Sequence, residues 1–202
     1  MHLVCLDLEG VLVPEIWIAF SEATGIPELR RTTRDEPDYG KLMHFRLDLL
    51  KKNGLKLHDI QKVIEKMDVL PGAFEFTEKL REHTQFIILS DTYEEFAKPL
   101  MKKLRYPTLF CNSLECSADG SITGYKLRQQ NGKQSAVRAL TSLNMEIFAA
   151  GDSFNDLDMI REAKAGCLFR APEAIRKDYA GIPCVDTYDE LLQQIQMFLS
   201  AE

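Results

Sequence analysis

His2-Leu-Val-Cys-Leu-Asp-Leu-Glu-Gly-Val-Leu-Val-Pro14 is the stretch that decides how the rest of the chain is read. Residues 2–8 are short, nearly continuously apolar and rich in Leu and Val, as in a strand buried on both faces. That strand delivers Asp7 and Glu9 onto a loop containing Gly10. An ionised carboxylate in apolar surroundings is costly without a partner such as a metal ion or a proton donor. Residues at i and i+2 of an extended chain point to one side, so both carboxylates can face one ligand. Alone, an Asp-x-Glu pair also arises by chance or in a calcium loop. Three later polar points give it its meaning.

Outward from this strand, Pro14 suits a first helical position, and Ile16, Trp17, Ala19, Phe20 and Ala23 form a helical stripe ending near Gly25. Residues 30–37 are polar and read as a loop. Helices are expected at about 38–52, 57–66 and 73–83, with Asn53-Gly54 and Pro71-Gly72 between them. Phe86-Ile-Ile-Leu89 is a second buried strand. Strands and helices then alternate: helix 93–104, strand 108–111, helix 133–143, strand 146–150, helix 155–164, strand 166–169, and helices 172–178 and 187–199. The polar piece Ser117–Ser121 suggests a β-hairpin between Cys116 and Leu127. Such alternation predicts an α/β fold, a parallel sheet with helices on both faces. The helical block after the first strand interrupts it. We therefore expect a discontinuous α/β core, residues 1–13 and 72–202, carrying an inserted all-helical cap, residues 14–71.

Ligands of open α/β sheets bind beyond the carboxyl ends of the strands, and polar clusters gather there. Asp7 and Glu9 follow the first strand. Ser90, Asp91 and Thr92 follow the second. Gly151, Asp152, Ser153, Asn155 and Asp156 follow Ile147–Ala150, and Lys133 starts the helix behind the hairpin. Capping boxes account for Thr92 with Glu95 and for Ser153 with Asp156 equally well. Lys133 faces the positive end of its helix dipole, which is unfavourable unless an anion joins it. Together the set has a chemical logic. Carboxylates hold a hard divalent cation such as Mg2+, and a hydroxyl and a lysine hold phosphate oxygens. Asp7 then serves as nucleophile toward phosphorus and Glu9 as acid and base.

The bulk properties fit an enzyme of small molecules. The 202 residues, 45% hydrophobic and 28% charged, suffice for one sizeable core plus a subdomain. A net charge of −6 disfavours nucleic-acid and anionic-membrane surfaces. No apolar stretch approaches transmembrane length, and the first residues lack the pattern of a signal peptide. The five cysteines are odd in number and lack CxxC pairing, as expected of thiols in a reducing compartment. A cytoplasmic protein is expected.

Asp7-Leu-Glu9-Gly-Val, Ser90, Lys133 and Gly151-Asp152-Ser-Phe-Asn155-Asp156, in this order, resemble the four motifs of the haloacid dehalogenase superfamily of aspartate-nucleophile phosphohydrolases. The resemblance covers the whole chain and implies a Rossmann-like core. It implies that Asp7 becomes phosphorylated, that Asp7, residue 9 and Asp152 surround Mg2+, and that Asp156 supports the site by holding Lys133. Most phosphatases of the superfamily carry aspartate where this chain has Glu9. The extra methylene shifts the balance between water and another acceptor, while the backbone carbonyl that the metal often meets is retained. The opening Asp-Leu-Glu-Gly-Val-Leu-Val-Pro-Glu-Ile-Trp and the later Ser-Asp-Thr are most similar to the phosphoserine phosphatase/homoserine phosphotransferase branch. That branch implies phosphoserine as substrate, homoserine as a second acceptor, and a place in serine and threonine biosynthesis. A monomer and a homodimer both stay open.

Helix 38–52 puts Leu42, Met43, Arg46, Leu49 and Leu50 on one face. Arg46 there either snorkels to water or grips a carboxylate in the cleft. Glu15 is either a helix-start glutamate or the partner of an ammonium. In phosphoserine phosphatases a cap Glu and a cap Arg recognise the amino acid, and Glu15 and Arg46 occupy matching positions. Ser90, Asp91, Lys133 and Asn155 complete the pocket that the resemblance implies. Two alternatives stand beside this: a phosphatase of another small metabolite, and a non-catalytic phospho-accepting receiver-like domain. A receiver needs no long insertion after its first strand. Kinase and serine-hydrolase chemistry are disfavoured, for neither GxxxxGK[ST] nor GxSxG occurs.

Overall fold

The strand that carries Asp7 lies in the middle of the sheet, which explains why so little water reaches the site. In the computed structural model, which describes residues 1–33, 35–36 and 38–201, β1 (His2–Leu6) pairs in parallel with both β2 (Gln85–Tyr93) and β5 (Glu146–Gly151). The seven strands run β4-β3-β2-β1-β5-β6-β7, with β3 (Thr108–Cys116), β4 (Ile122–Lys126), β6 (Ala165–Phe169) and β7 (Cys184–Val185). All neighbours are parallel except β3 and β4, which form the expected hairpin. The α/β architecture is thus the one expected.

Alternation along β1 divides the core. Val4 and Leu6 join a large cluster with α1 (Ile16–Thr24), α4 (Ala73–His83), α5 (Glu94–Lys103) and α9 (Tyr188–Ser200). Leu3 and Cys5 join a smaller one with α6 (Gly132–Ser142), α7 (Leu157–Glu162) and α8 (Glu173–Asp178). Fully burying each such Leu or Val contributes about 1.5–3 kcal/mol, so both sheet faces hold the strand in register.

Between β1 and α4 the chain runs through α1, α2 (Tyr39–Lys52) and α3 (Leu57–Lys66). Asp38 caps α2 by accepting the Lys41 N–H at 3.0 Å. A 3-10 turn at Pro27–Arg30 leads into residues 30–37, the segment read as loop, of which Arg34 and Pro37 lie outside the described residues. The helical block is tied to the sheet at two places. At the hairpin tip, Leu57 N–H bonds Gly120 O at 3.0 Å and Lys56 Nζ reaches Asp119 Oδ2 at 2.8 Å. At the other end, Tyr39 donates to Asp91 O at 3.2 Å and lies 2.7 Å from the Tyr93 hydroxyl.

Several details depart from expectation: β3 reaches Cys116, past the strand expected at 108–111, and the helix expected at 155–164 divides into a 3-10 turn, Phe154–Asp156, and α7. β2 does not stop at Leu89 but continues to Tyr93, which pairs with Asn112 beyond a register shift. The Thr92–Glu95 capping box is not formed: α5 starts at Glu94, and Glu95 accepts the Leu114 N–H at 3.0 Å instead. The two-residue strand β7 is also new. Among the described residues no helix is long and apolar enough to cross a membrane.

Candidate active site

The acidic residues of the site leave the carboxyl ends of adjacent strands. Asp7 extends β1 by donating its N–H to Ala150 O at 2.9 Å, after which the loop folds back through Leu12 and Val13 N–H bonds to Leu8 O. Gly10 permits the reversal with φ at +81°, and a Cβ there would stand 2.5 Å from the Asp152 carboxylate. Gly151 is required for closeness alone, because its Cβ would collide with the Asp156 side chain.

Asp156 is fully buried and organises its neighbours. One oxygen accepts the Asp152 N–H at 3.0 Å, the Ser153 N–H at 3.1 Å and the Ser153 hydroxyl. This is the expected capping box with Ser153. The other oxygen lies 2.6 Å from Lys133 Nζ. Lys133, in the first turn of α6, also reaches Asp7 Oδ1 at 2.8 Å and Asp91 Oδ2 at 4.0 Å. The carboxylates outweigh the dipole penalty. Burial alone would lower the lysine's pKa, but Asp156 and Asp7 hold it well above the usual range.

Burial pushes the Asp7 carboxyl up, as do Asp156 and Asp152, while Lys133 pulls it back. Asp7, Asp152 and Asp156 bring oxygens within 4.8 Å of one another, and two of the three, Asp7 and Asp156, also hold the Lys133 ammonium. Because Asp156 is committed to Lys133 and the turn, Asp7 and Asp152 are the pair suited to a hard divalent cation. The donor chemistry and the local excess of negative charge fit such an ion.

Glu9 stands apart from that cluster. Its carboxylate accepts the Ile16 N–H at 2.8 Å, the first amide of α1, and a hydrogen bond from Thr92. Burial and the charge of Glu15 raise it to about 7, a range suited to proton exchange at neutral pH. Glu15, the residue before α1, makes no capping bond of its own. Arg46 is not in water, so the snorkelling alternative fails: its side chain is only 6% exposed, with Cζ 4.5 Å over the Trp17 ring.

Ser90 Oγ accepts the Thr92 N–H at 3.2 Å, which leaves its hydroxyl proton for another acceptor. Asn155 donates to Asp91 Oδ2 at 3.0 Å, and Asn112 to Asp91 O at 3.0 Å. Asp7, Glu9, Glu15, Arg46, Ser90, Asp91, Lys133, Asp152 and Asn155 all line one chamber of about 100 Å³; Asp156 lies beneath it. Tyr39, Asp91 and Lys133 also border an adjoining chamber of about 420 Å³. Trp17, Tyr39 and Tyr93 line the smaller chamber without having been singled out from the sequence. An aromatic residue on an apolar stripe carries no signal separating it from core.

The family model of haloacid dehalogenase-like hydrolases matches residues 6–161, the span from the first strand past Asp156. The chain belongs to this family. Among its relatives, phosphoserine phosphatase ThrH of Pseudomonas aeruginosa is 52% identical over 194 residues, 96% of this chain and 95% of that protein. A phosphoserine phosphatase of Pseudomonas syringae pv. tomato is also 52% identical, covering 96% of this chain and 82% of its own. A phosphoserine phosphatase structure described as a phospho-aspartyl intermediate analogue superimposes with a TM-score of 0.79 at 19% identity, over 95% and 97% of the two chains. At that identity the superposition speaks for the shared hydrolase fold. Family membership removes the receiver-like alternative.

Proposed function

We propose that this hydrolase is a Mg2+-dependent phosphatase of L-phosphoserine that works through an aspartyl-phosphate on Asp7. The observation that carries the reading is the buried Arg46 guanidinium sharing one small chamber with Glu15, Asp7 and Lys133. An arginine for a carboxylate and a glutamate for an ammonium recognise an α-amino acid, and the acidic end meets its phosphate. The phosphoserine phosphatase names of two relatives 52% identical to this chain support the same reading. Residues 14–71 act as the cap that contributes Glu15 and Arg46, and residues 1–13 and 72–202 as the catalytic core. Asp7, Asp152 and the residue 9 backbone would hold Mg2+, which when bound supplies charge neutralisation for the phosphoryl oxygens.

The chain's own groups do the rest. Arg46 and Glu15 orient the amino acid; Ser90 and Lys133 donate to phosphate oxygens. An Asp7 oxygen forms a bond to phosphorus as the bond to the serine oxygen breaks, and Glu9 gives that oxygen its proton. Glu9 then takes a proton from water, whose oxygen attacks phosphorus and releases phosphate and Asp7. Homoserine has the same α-amino acid head and one more methylene, so it can replace water as acceptor in this site. Five free thiols suit a cytoplasmic setting, in which the enzyme serves serine and threonine biosynthesis as a monomer or homodimer.

The test is release of serine and phosphate from phosphoserine, with phosphohomoserine measured when homoserine is added. Brisk turnover of another phosphate ester without phosphoserine turnover would remove the substrate assignment. Arg46→Ala should raise KM for phosphoserine while leaving p-nitrophenyl phosphate nearly unchanged. Equal losses on both would make Arg46 structural.

A further inference from the structure

Arg46 is a buried cation whose protein partners do not complete it. Nη2 donates to Arg31 O at 2.6 Å, and Nη1 finds only Met43 Sδ at 3.7 Å. Nε is buried without a hydrogen-bond partner. Among the described residues no carboxylate lies within ion-pair distance of the guanidinium. What supports it instead is the Trp17 ring, 4.5 Å from Cζ. Trp17 is itself fixed: it is 7% exposed and meets the edges of Phe20 and Phe96, with centroids 6.3 and 5.7 Å away. Its backbone is fixed too, since it is the second residue of α1, whose first amide is bonded by Glu9.

We propose that Trp17 is a positioning residue for Arg46, which sets the plane in which the guanidinium meets the substrate carboxylate. The inference rests on the phosphoserine reading. Any apolar side chain could fill the volume. Only an aromatic face attracts a desolvated cation and restricts a planar fork to lie against it, leaving Nη1, which has no oxygen acceptor among the described residues, to meet a ligand. One short segment then controls the selective end of the chamber, through Glu15 directly and through Trp17 indirectly. Glu9, which bonds the same helix start, couples that selective end to the reacting end.

The experiment compares Trp17→Leu and Trp17→Phe with the unaltered enzyme on phosphoserine and p-nitrophenyl phosphate. Trp17→Leu should raise KM for phosphoserine about tenfold, with kcat and p-nitrophenyl phosphate turnover little changed. Trp17→Phe should restore most of the difference. Parallel loss on both substrates, or a Trp17→Leu enzyme with unchanged KM, overturns the proposal. Trp17 is the single tryptophan of the chain, so a second readout needs no turnover. Arg46→Ala should shift the indole emission of the resting protein, and an unshifted spectrum overturns the stack. If the unaltered enzyme ignores phosphoserine, the substrate reading fails, while the emission of Arg46→Ala still decides whether Trp17 holds the arginine.

Discussion

Asp156→Asn tests how the site is assembled. The native carboxylate is inaccessible to solvent, and each oxygen faces only donors: Lys133 Nζ on one side, two backbone N–H groups and the Ser153 hydroxyl on the other. An amide keeps the shape but must turn its NH2 toward one of these sets, so a donor confronts a donor in either rotamer. If the NH2 faces the lysine, a buried ion pair is broken, which costs about 3–5 kcal/mol. If it faces the turn, Asp152 and Ser153 N–H lose charge-assisted bonds worth about 1.5–3 kcal/mol each. The two routes together bracket a loss of about 3–6 kcal/mol. For a chain of this size that is a fall in melting midpoint of about 6–24 °C. Lys133 would also drift from Asp7, and a displacement of about 1 Å reduces turnover on the order of a hundredfold. Thermal and urea unfolding followed by circular dichroism, with phosphate release on the folded fraction, measure both effects. Asp158→Asn is the control, since its Arg161 contact is an exposed one at 3.9 Å and should change stability by less than about 0.5 kcal/mol. An Asp156→Asn protein as stable and active as the control would refute the reasoning.

Other expectations follow from the same geometry. Gly10→Ala places a Cβ against the Asp152 carboxylate in a left-handed backbone; it should cost about 1–2 kcal/mol in backbone conformation alone and remove most phosphatase activity, read by urea titration and phosphate release. Asp7→Asn should fold and bind phosphoserine yet release no phosphate, and normal turnover would eliminate the aspartyl-phosphate. Dialysis against EDTA should silence phosphoserine hydrolysis and added Mg2+ should restore it; activity that persists after exhaustive chelation would remove the metal from the mechanism.

The α/β core could be read from the sequence because its strands are short apolar runs, and the run from His2 to Leu6 is unambiguous. The polar residues that follow each run could be read for the same reason, since polarity begins where pairing with neighbours ends. β2 misled at this point. Ser90, Asp91 and Thr92 are polar, yet the strand continues through them because Tyr93 finds Asn112 after a register shift. The two residues of β7 are too few to form a pattern. Thr92 and Glu95 have the spacing of a cap, but that cap needs a helix whose first residue is Tyr93, and α5 begins one residue later, at Glu94, with Tyr93 as its N-cap. Arg46 left two readings open since exposure depends on what packs across it. Trp17 and Tyr39 escaped notice for a related reason: a helical stripe says which face is apolar, not that its neighbour across the seam is a cation or a hydroxyl.

The order in which the chain is made gives the central place of β1 a further meaning. The strand made first pairs with β2 and β5, so that Leu3 lies opposite Gln85 and Ile147. During synthesis its two ladder edges wait for residues far downstream, and the nucleophile has neither Lys133 nor Asp152 beside it until the ribosome has passed them. A nascent chain therefore carries its nucleophile before either partner exists, and Val4 and Leu6 can pack on α1 and α4 while Leu3 and Cys5 still wait for α6 to α8.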